Sequence, residues 1–186
     1  MALTESYMLP LGSQAPDFKL PDVVTNKDRS LQELKGEKGS LVIFMCNHCP
    51  YVLSVLDRLQ RDARDLQSIG IGVAAINAND ALAYPADSFE NMITLAEEHR
   101  FSFPYLYDET QSVAKAYGAA CTPDFFGFNA AGGLQYRGRL DASGRTAGAT
   151  DLRRDLFEAM QHMVKTGHGP EVQIASIGCS IKWKPE

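Results

Sequence analysis

The sequence lacks the features that mark membrane proteins, secreted proteins and nucleic-acid-binding proteins. No run of apolar residues approaches the roughly 18 residues of a membrane-spanning helix. The segment from Met1 to Tyr7 has no basic stretch followed by an apolar one, so it does not have the pattern of a secretory signal. Lysine and arginine form no cluster, and the formal net charge is -5. We therefore expect a cytoplasmic protein with no nucleic-acid or membrane partner.

Cysteine and metal-ligand motifs are scarce as well. The chain has 4 cysteines, and in a reducing compartment such thiols rarely form a structural disulfide framework. A structural zinc site normally takes four ligands, but Cys46 and Cys49 form a C-x-x-C pair without a second pair of ligand residues in the sequence. We therefore predict no metal site, and we interpret this pair as catalytic or redox-sensing.

The chain has enough apolar residues for one ordinary core, because 45% of its 186 residues are hydrophobic. No low-complexity linker divides it. We expect a single domain over residues 1–186, with an N-terminal lead-in over residues 1–40 and a C-terminal tail over residues 170–186. The tail has neither a helical period nor a clear strand period, and we expect it to cover the domain.

A pair of thiols lies at a predicted strand-to-helix turn. Leu41 to Met45 is a continuous apolar run of strand length, and Ile71 to Ile76 is another, as is typical of strands buried on both faces of a sheet. Between them, apolar residues recur at helical spacing from Val52 to Leu66. The motif Cys46-Asn47-His48-Cys49-Pro50 stands where the first strand would lead into this helix. The pattern predicts a βαβ unit with a dithiol at its first turn.

Cys46 is the predicted attacking sulfur and Cys49 the predicted resolving sulfur. A cysteine reacts as its thiolate, which the N–H groups and the dipole at a helix start stabilise. After Cys46 has attacked a disulfide, Cys49 can displace the product and close an intramolecular disulfide. His48 lies between the two cysteines, and we expect its imidazole to stabilise the thiolate.

The second half of the chain supplies the remaining predicted elements. Thr122-Pro123 precedes an apolar strand that begins at Phe125, at the place where a βαβ redox fold needs a proline facing the dithiol. The other predicted elements are helices over Asp87 to His99, Ser112 to Tyr117 and Asp151 to Lys165, a strand over Phe101 to Tyr107, and a hairpin whose second arm runs from Leu134 to Leu140.

These features together resemble the thioredoxin-like superfamily over most of residues 41–166. The opening Gly12-x-x-Ala15-Pro16-Asp17-Phe18-x-Leu20 and the insertion from Asn77 to Arg100 are similar to the redoxin branch that includes the alkyl hydroperoxide reductase/thiol-specific antioxidant proteins. The motifs around Cys46, Cys121 and Cys179 resemble a peroxiredoxin-like subgroup. The resemblance implies an α/β thioredoxin-like fold, in which helices flank a mixed central β-sheet.

The resemblance also implies roles for the site residues. Cys46 would be the nucleophile, Cys49 the resolving thiol, and Pro123 a cis-proline that keeps the backbone of Thr122 free to pair with a substrate strand. No bound cofactor is implied. The expected partner is a disulfide substrate or a thiol reductant protein.

The chain departs from peroxiredoxins at the positions that activate peroxide. Those enzymes carry proline and threonine seven and three positions before the peroxidatic cysteine, where this chain has Gly39 and Ile43 ahead of Cys46. No counterpart of their arginine is evident between Cys121 and Phe128, and the buried acid of thioredoxins is missing between Leu41 and Phe44. We therefore rank peroxidase activity below disulfide exchange.

Two further thiols have two interpretations each. Cys121 adjoins the proposed cis-proline, and it either joins the redox site or packs as a small buried residue. Cys179 lies in the tail, and it either acts as a distal resolving thiol or belongs to a covering segment. Arg137 and Arg139 are expected to face solvent on the predicted hairpin.

These observations favour a thiol:disulfide oxidoreductase that acts on a protein or small-molecule disulfide. The first alternative is a thiol peroxidase in which Cys46 is oxidised to sulfenic acid and then resolved by Cys49, Cys121 or Cys179. The second is a metal-binding or redox-sensing protein that uses Cys46, His48 and Cys49, with Cys121 as an optional further ligand.

Overall fold

The computed structural model describes residues 3–146 and 151–185. Met1 and Ala2 of the predicted lead-in, Glu186 of the predicted tail, and residues 147–150 lie outside the described residues. The strands are β1 (Leu3–Glu5), β2 (Lys19–Asp22), β3 (Lys27–Ser30), β4 (Gly39–Phe44), β5 (Ile71–Asn77), β6 (Tyr105–Tyr107), β7 (Cys121–Thr122), β8 (Asp124–Asn129), β9 (Leu134–Tyr136) and β10 (Ile177–Ser180). The helices are α1 (Leu31–Leu34), α2 (Pro50–Leu53), α3 (Leu56–Ser68), α4 (Phe89–Glu98), α5 (Ser112–Tyr117) and α6 (Asp155–Thr166), and a 3-10 turn spans Pro85–Asp87.

The central sheet is mixed, as the sequence predicts. Strands β3, β2, β6 and β5 pair in that order, and β4, β8 and β9 pair in that order. The two groups meet where the Met45 N–H donates to the Ile76 carbonyl over 3.0 Å, so β4 and β5 lie side by side. Pairing is parallel between β5 and β6 and antiparallel between β4 and β8. The expected α/β class with a mixed sheet and flanking helices is confirmed.

The alternation of side chains along β4 accounts for its continuous apolar sequence. Leu41, Ile43 and Met45 belong to one buried cluster, whereas Val42 and Phe44 belong to another. Successive side chains of a strand point to opposite faces, so a strand covered on both faces needs apolar residues at every position. The first cluster includes residues of α3, α4 and α6, and the second includes residues of α5.

The predicted helix after the dithiol is broken into α2 and α3. The Ser54 hydroxyl donates to the Tyr51 carbonyl over 3.2 Å, a local bond of the kind that competes with regular helix pairing. Beyond the break, α3 buries Leu56, Leu59 and Leu66 along one face. Within the part of the chain that the structure describes, no helix is long and apolar enough to cross a membrane.

Three predicted elements begin later than expected. Helix α4 begins at Phe89 because the Ser88 hydroxyl caps it by accepting the Asn91 N–H over 3.2 Å. Asp87 therefore lies outside the helix, and its side chain accepts the backbone N–H of Asn47. Strand β6 follows Pro104 instead of including it, and helix α6 begins at Asp155.

The tail contains a strand that the sequence pattern did not predict. Strand β10 pairs antiparallel with β1 on one side and with β7 on the other, with Cys179 opposite Leu3 and opposite Thr122. A Cβ atom at Gly178 would overlap the Thr122 carbonyl oxygen, so only glycine allows this close approach. Four residues are too few to show a strand period, and the strand is defined by its partners.

Arg137 does not face solvent, contrary to the expectation. Its side chain is fully buried, and its guanidinium forms a bidentate ion pair with Asp124, with an Nη2 to Oδ2 distance of 2.9 Å. The guanidinium carbon also lies 3.8 Å from the ring centroid of Phe126. Arg139 is partly exposed and pairs with Asp155 over 2.8 Å. The hairpin sequence could not distinguish the two arginines, because the partner of Arg137 comes from the preceding strand.

We expect Arg137→Met to lower the free energy of unfolding by about 3–5 kcal/mol, because it leaves the Asp124 carboxylate buried without a counter-charge. Urea denaturation measures this loss. Arg139→Met is the matched control, and we expect it to cost about 0–1 kcal/mol because its ion pair is partly exposed. The double variant Arg137→Met/Asp124→Asn should recover much of the loss. Equal losses for the two single arginine variants would contradict this account.

Candidate active site

The dithiol lies at the end of β4, under the protein's own C-terminal strand. Cys46 follows β4 by two positions, and Cys49 is the residue before helix α2. Cys121 lies in β7 and Cys179 in β10. All four cysteines are thiols rather than disulfides and all are buried, with Cys46 only 1% exposed. A substrate therefore reaches these sulfurs only if a covering segment moves.

Thr122 contacts both sulfurs of the predicted dithiol. Its hydroxyl oxygen lies 3.4 Å from Cys46 Sγ, and its backbone carbonyl accepts a hydrogen bond from Cys49 Sγ over 3.1 Å. The peptide bond between Thr122 and Pro123 is cis, as the resemblance implies. The backbone of Thr122 is not free, because it pairs with Cys179 of β10. In this structure the tail strand takes the place that the resemblance gives to a substrate strand.

A buried carboxylate organises the turn between the two cysteines. Asp87 has no exposed surface, and its Oδ1 accepts the Asn47 backbone N–H over 2.7 Å. Its Oδ2 accepts an amide N–H of Asn79 over 2.8 Å. The Tyr105 hydroxyl donates to the Asn47 side-chain oxygen over 2.9 Å. The turn is thus held by side chains from β6 and from the segment that follows β5.

His48 is directed at Asp87. Its Nδ1 lies 2.8 Å from Asp87 Oδ2 but off the line of a hydrogen bond, and this buried nitrogen has no aligned partner among the described residues. The imidazole stacks on the Tyr84 ring with centroids 5.9 Å apart and planes 2° apart. Lys182 places its Nζ 5.7 Å from the centroid of the same tyrosine ring. His48 therefore bridges the buried carboxylate and the partly exposed Tyr84.

The two sulfurs form a pair that shares a proton. Hydrogen bonding with Cys49, burial and the Asp87 carboxylate raise the pKa of Cys46 well above its ordinary value. The hydrogen bond from Cys46 lowers the pKa of Cys49 to about 4, against the effect of burial. The Thr122 carbonyl opposes this second shift, because it accepts a bond from a thiol and repels a thiolate. Protons leave such a pair in two steps that belong to both groups. The first ionisation of the pair therefore leaves one proton and one negative charge between the two sulfurs.

A backbone N–H at the start of helix α2 lowers the pKa of Cys49, and among the described residues none is found to lower that of Cys46. The backbone N–H of Val52 is among the groups that lower the pKa of Cys49. The Asp87 carboxylate acts on Cys46 in the opposite direction. In the reduced protein the helix-start N–H that bears on the pair is thus placed at Cys49, whereas the sequence analysis expected this effect at Cys46.

The two further thiols have different surroundings. Cys121 Sγ faces the backbone carbonyls of Pro123 and Ser176, at 3.6 and 4.0 Å, and burial raises the pKa of its thiol. Cys179 lies opposite Thr122, and its thiol interacts with that of Cys49 and lowers the pKa of Cys49. Burial first, and then the interaction with Cys49, raise the pKa of Cys179 to about 11.

One group of side chains has the composition of a metal site. Ligand atoms of Cys46, His48 and Asp87 all lie within 4.8 Å of one another. This set differs from the one expected from sequence, because the Asp87 carboxylate takes the place of Cys49 and Cys121. Sulfur, imidazole and carboxylate are all ligands that Zn²⁺ accepts.

Asp87 is the main site residue that the sequence analysis missed. Nothing in its spacing from Cys46 connects the two, because they are joined only through the packing of the segment after β5. The available signal was Ser88, a strong helix-capping residue that would place the helix start after Asp87.

Comparison with known proteins gives one family and a set of similar structures. The profile of the AhpC/TSA family matches residues 11–137. An uncharacterized conserved protein from Geobacillus kaustophilus is 47% identical, with a TM-score of 0.94 and coverage of 100% of this chain and 98% of that chain. A hypothetical protein from Sinorhizobium meliloti 1021 is 40% identical, with a TM-score of 0.92 and coverage of 98% and 100%.

A more distant structure shows the fold. The thioredoxin domain of a thiol-disulfide oxidoreductase from Bacteroides vulgatus is 17% identical, with a TM-score of 0.63 and coverage of 84% of this chain and 99% of that chain. The thioredoxin-like fold and the redoxin resemblance that the motifs predict are confirmed. A search of curated proteins returned no match.

We expect Asp87→Asn to move the pH profile of Cys46 alkylation to lower pH. A carboxylate disfavours a neighbouring thiolate, so removing its charge lowers the pKa of Cys46. The measurement is the rate of iodoacetamide labelling of the Cys46 peptide as a function of pH. Asp57→Asn, at an exposed position of α3, is the control and should leave the profile in place. A profile that is unchanged in Asp87→Asn, or that moves to higher pH, would contradict the proposed electrostatics.

Proposed function

The chain belongs to the AhpC/TSA family, and from this premise we propose that it is a thiol:disulfide oxidoreductase whose Cys46 and Cys49 form a two-sulfur relay. A redox enzyme that works through thiols is the kind of function that the family and the fold support. The observation that carries the finer proposal is the hydrogen-bonded sulfur pair held by Thr122.

The reaction passes two electrons from the dithiol to the substrate. Cys46 passes its proton to Cys49 and attacks, as a thiolate, one sulfur of the substrate disulfide. The substrate S–S bond breaks, and the released thiolate takes up the proton from Cys49. Cys49 then attacks the Cys46 sulfur of the mixed disulfide and displaces the second substrate thiol. The products are a reduced substrate and a Cys46–Cys49 disulfide, which a thiol reductant protein returns to the dithiol.

The neighbours of the pair have distinct roles in this proposal. The Thr122 hydroxyl, 3.4 Å from Cys46 Sγ, donates to the attacking thiolate. The Val52 N–H and the Cys46 thiol stabilise charge on Cys49. The Asp87 carboxylate holds the turn and disfavours charge on Cys46, so it limits reaction of that sulfur in the absence of substrate.

A groove beside Pro123 is the proposed approach for the substrate. Its volume is about 180 Å³, and its lining includes Tyr51 on helix α2, Phe125 on β8 and Ile177 of the tail. None of the four cysteines lines this groove, so a substrate bound there reaches the sulfurs only after a covering segment such as the tail strand moves.

A thiol peroxidase is the second candidate, and one observation favours it. The hydroxyl that peroxiredoxins carry three positions before their cysteine is absent here, but Thr122 supplies a hydroxyl to the same sulfur from another strand. In this reaction the Cys46 thiolate attacks the peroxide O–O bond and becomes a sulfenate as water leaves. The sulfenate takes up a proton to become sulfenic acid, and the Cys49 thiolate then displaces hydroxide and closes the disulfide.

Metal binding is the third candidate, and the cluster of Cys46, His48 and Asp87 favours it. It is tested separately by measuring the metal content of protein that was purified without chelator. Stoichiometric zinc that Asp87→Asn abolishes would support this function in place of the redox one.

We expect the reduced protein to exchange rapidly with a disulfide substrate in stopped flow and to react slowly with hydrogen peroxide. Cys46→Ser should abolish the exchange, and Cys49→Ser should stop it at the mixed disulfide. Cys121→Ser is the matched control, because its sulfur faces two backbone carbonyls instead of the pair. Fast peroxide consumption through a Cys46 sulfenate would establish the peroxidase instead, and exchange that persists in Cys46→Ser would contradict both.

A further inference from the structure

The C-terminal strand occupies the edge of β7 beside the dithiol. Its pairing places Cys179 opposite Thr122, the residue that contacts both sulfurs of the pair. Gly178 allows the two backbones to approach closely, because a side chain there would overlap the Thr122 carbonyl. Strand addition to an exposed edge is a common way for a protein to bind an extended segment. Here the added segment is the chain's own tail, and it carries a thiol.

Cys49 lies between two other thiols. Its Sγ donates to the carbonyl of Thr122, the residue opposite Cys179 in the strand pairing. The thiols of Cys46 and Cys179 both act on the pKa of Cys49. Thiol–disulfide exchange requires the attacking sulfur to reach one sulfur of the disulfide while the other leaves. The arrangement gives Cys179 access to Cys49, with Cys46 as the leaving sulfur.

We propose that Cys179 is a third thiol of the relay, which takes over the disulfide from Cys46 and forms a Cys49–Cys179 bond. This inference rests on the dithiol function proposed above. The Cys179 thiolate attacks Cys49 Sγ, the Cys46–Cys49 bond breaks, and Cys46 leaves as a thiolate that receives the proton given up by Cys179. No electrons are gained or lost in this step. The same thiol reductant protein later reduces the Cys49–Cys179 bond.

The electrostatics favour this transfer after oxidation and oppose it before. In the reduced protein, burial and the interaction with the charged Cys49 raise the pKa of Cys179, whereas Lys182 lowers it. Once Cys46 and Cys49 form a disulfide, the negative charge on Cys49 is gone. Cys179 then ionises more readily, and the attack becomes possible at the stage where it is needed.

The transfer has a consequence for the first cysteine. It regenerates Cys46 as a thiol, and the disulfide bond then joins Cys49 to Cys179 of the tail strand. Cys179 is itself buried, at 4% exposed against 1% for Cys46, but its tail neighbour Ile177 is 45% exposed. A reductant protein would therefore meet the disulfide at the tail strand, beside the groove that Ile177 also lines.

The test follows the disulfides of the full-length protein through oxidation. Reduced protein is mixed with one equivalent of oxidised glutathione, quenched in acid at intervals, alkylated with N-ethylmaleimide and mapped by peptide mass analysis. We expect the Cys46–Cys49 disulfide to form first and to convert to Cys49–Cys179, as alkylatable Cys46 reappears. In Cys179→Ser the reaction should stop at Cys46–Cys49. Cys121 should stay alkylatable throughout, and it is the internal control for non-specific oxidation.

A second variant perturbs the strand and leaves every sulfur in place. Gly178→Ala should lift β10 from β7 and cause loss of the Cys49–Cys179 disulfide, while Cys46–Cys49 still forms. Gly133→Ala is the matched control, because a Cβ there makes only ordinary contact, 3.5 Å from Asn129. It should behave as the unaltered protein does.

Two results would overturn the inference, and they are distinguishable. If Cys46–Cys49 forms and exchanges disulfides while Cys179 stays fully alkylatable, the third thiol plays no part, and the dithiol function stands. If no disulfide forms at Cys46, the dithiol function fails, and the transfer to Cys179 fails with it.

Discussion

The contacts of Thr122 with both sulfurs are the constraint on which the rest of the site depends. One residue presents a hydroxyl to Cys46 and a carbonyl to Cys49, and its backbone also pairs with the tail strand. These contacts fix the sulfurs against each other, so that each can stabilise charge on the other. Any segment that binds Thr122 therefore also lies beside the dithiol. The central sheet carries β4 to this place, and β7 is carried there in the small sheet that it forms with β10 and β1.

Burial and charge together restrain the reactivity of the dithiol. A buried thiolate is costly because burial removes its solvation, and Asp87 adds a negative charge beside Cys46. The interaction between the sulfurs offsets part of this cost, because the thiol of one cysteine donates to the thiolate of the other. The pair is thus covered, and reaction needs movement of a covering segment to expose Cys46. His48 and Tyr84 form the outer side of the same arrangement.

The sequence predicts the parts of the molecule that local patterns determine. The apolar run of β4, the position of the dithiol after it and the Thr122-Pro123 motif all follow from neighbouring residues. Asp87, the buried Arg137 and strand β10 were missed, because each depends on partners far along the chain. Arg137 is buried by Asp124, and β10 exists only through β1 and β7. Hydrophobic periodicity records which face of an element is covered, and it does not record which polar residues meet there.

The most direct test of the account is an ultraviolet titration of thiolate absorbance against pH in the reduced protein and in Cys46→Ala. The account predicts one thiolate in the unaltered protein at neutral pH, shared by the two sulfurs. Cys46→Ala removes the hydrogen bond that lowers the pKa of Cys49 most strongly, so its thiolate should appear only at higher pH. An unaltered protein without thiolate at neutral pH, or a Cys46→Ala titration identical to it, would contradict the shared charge at the centre of the proposed mechanism.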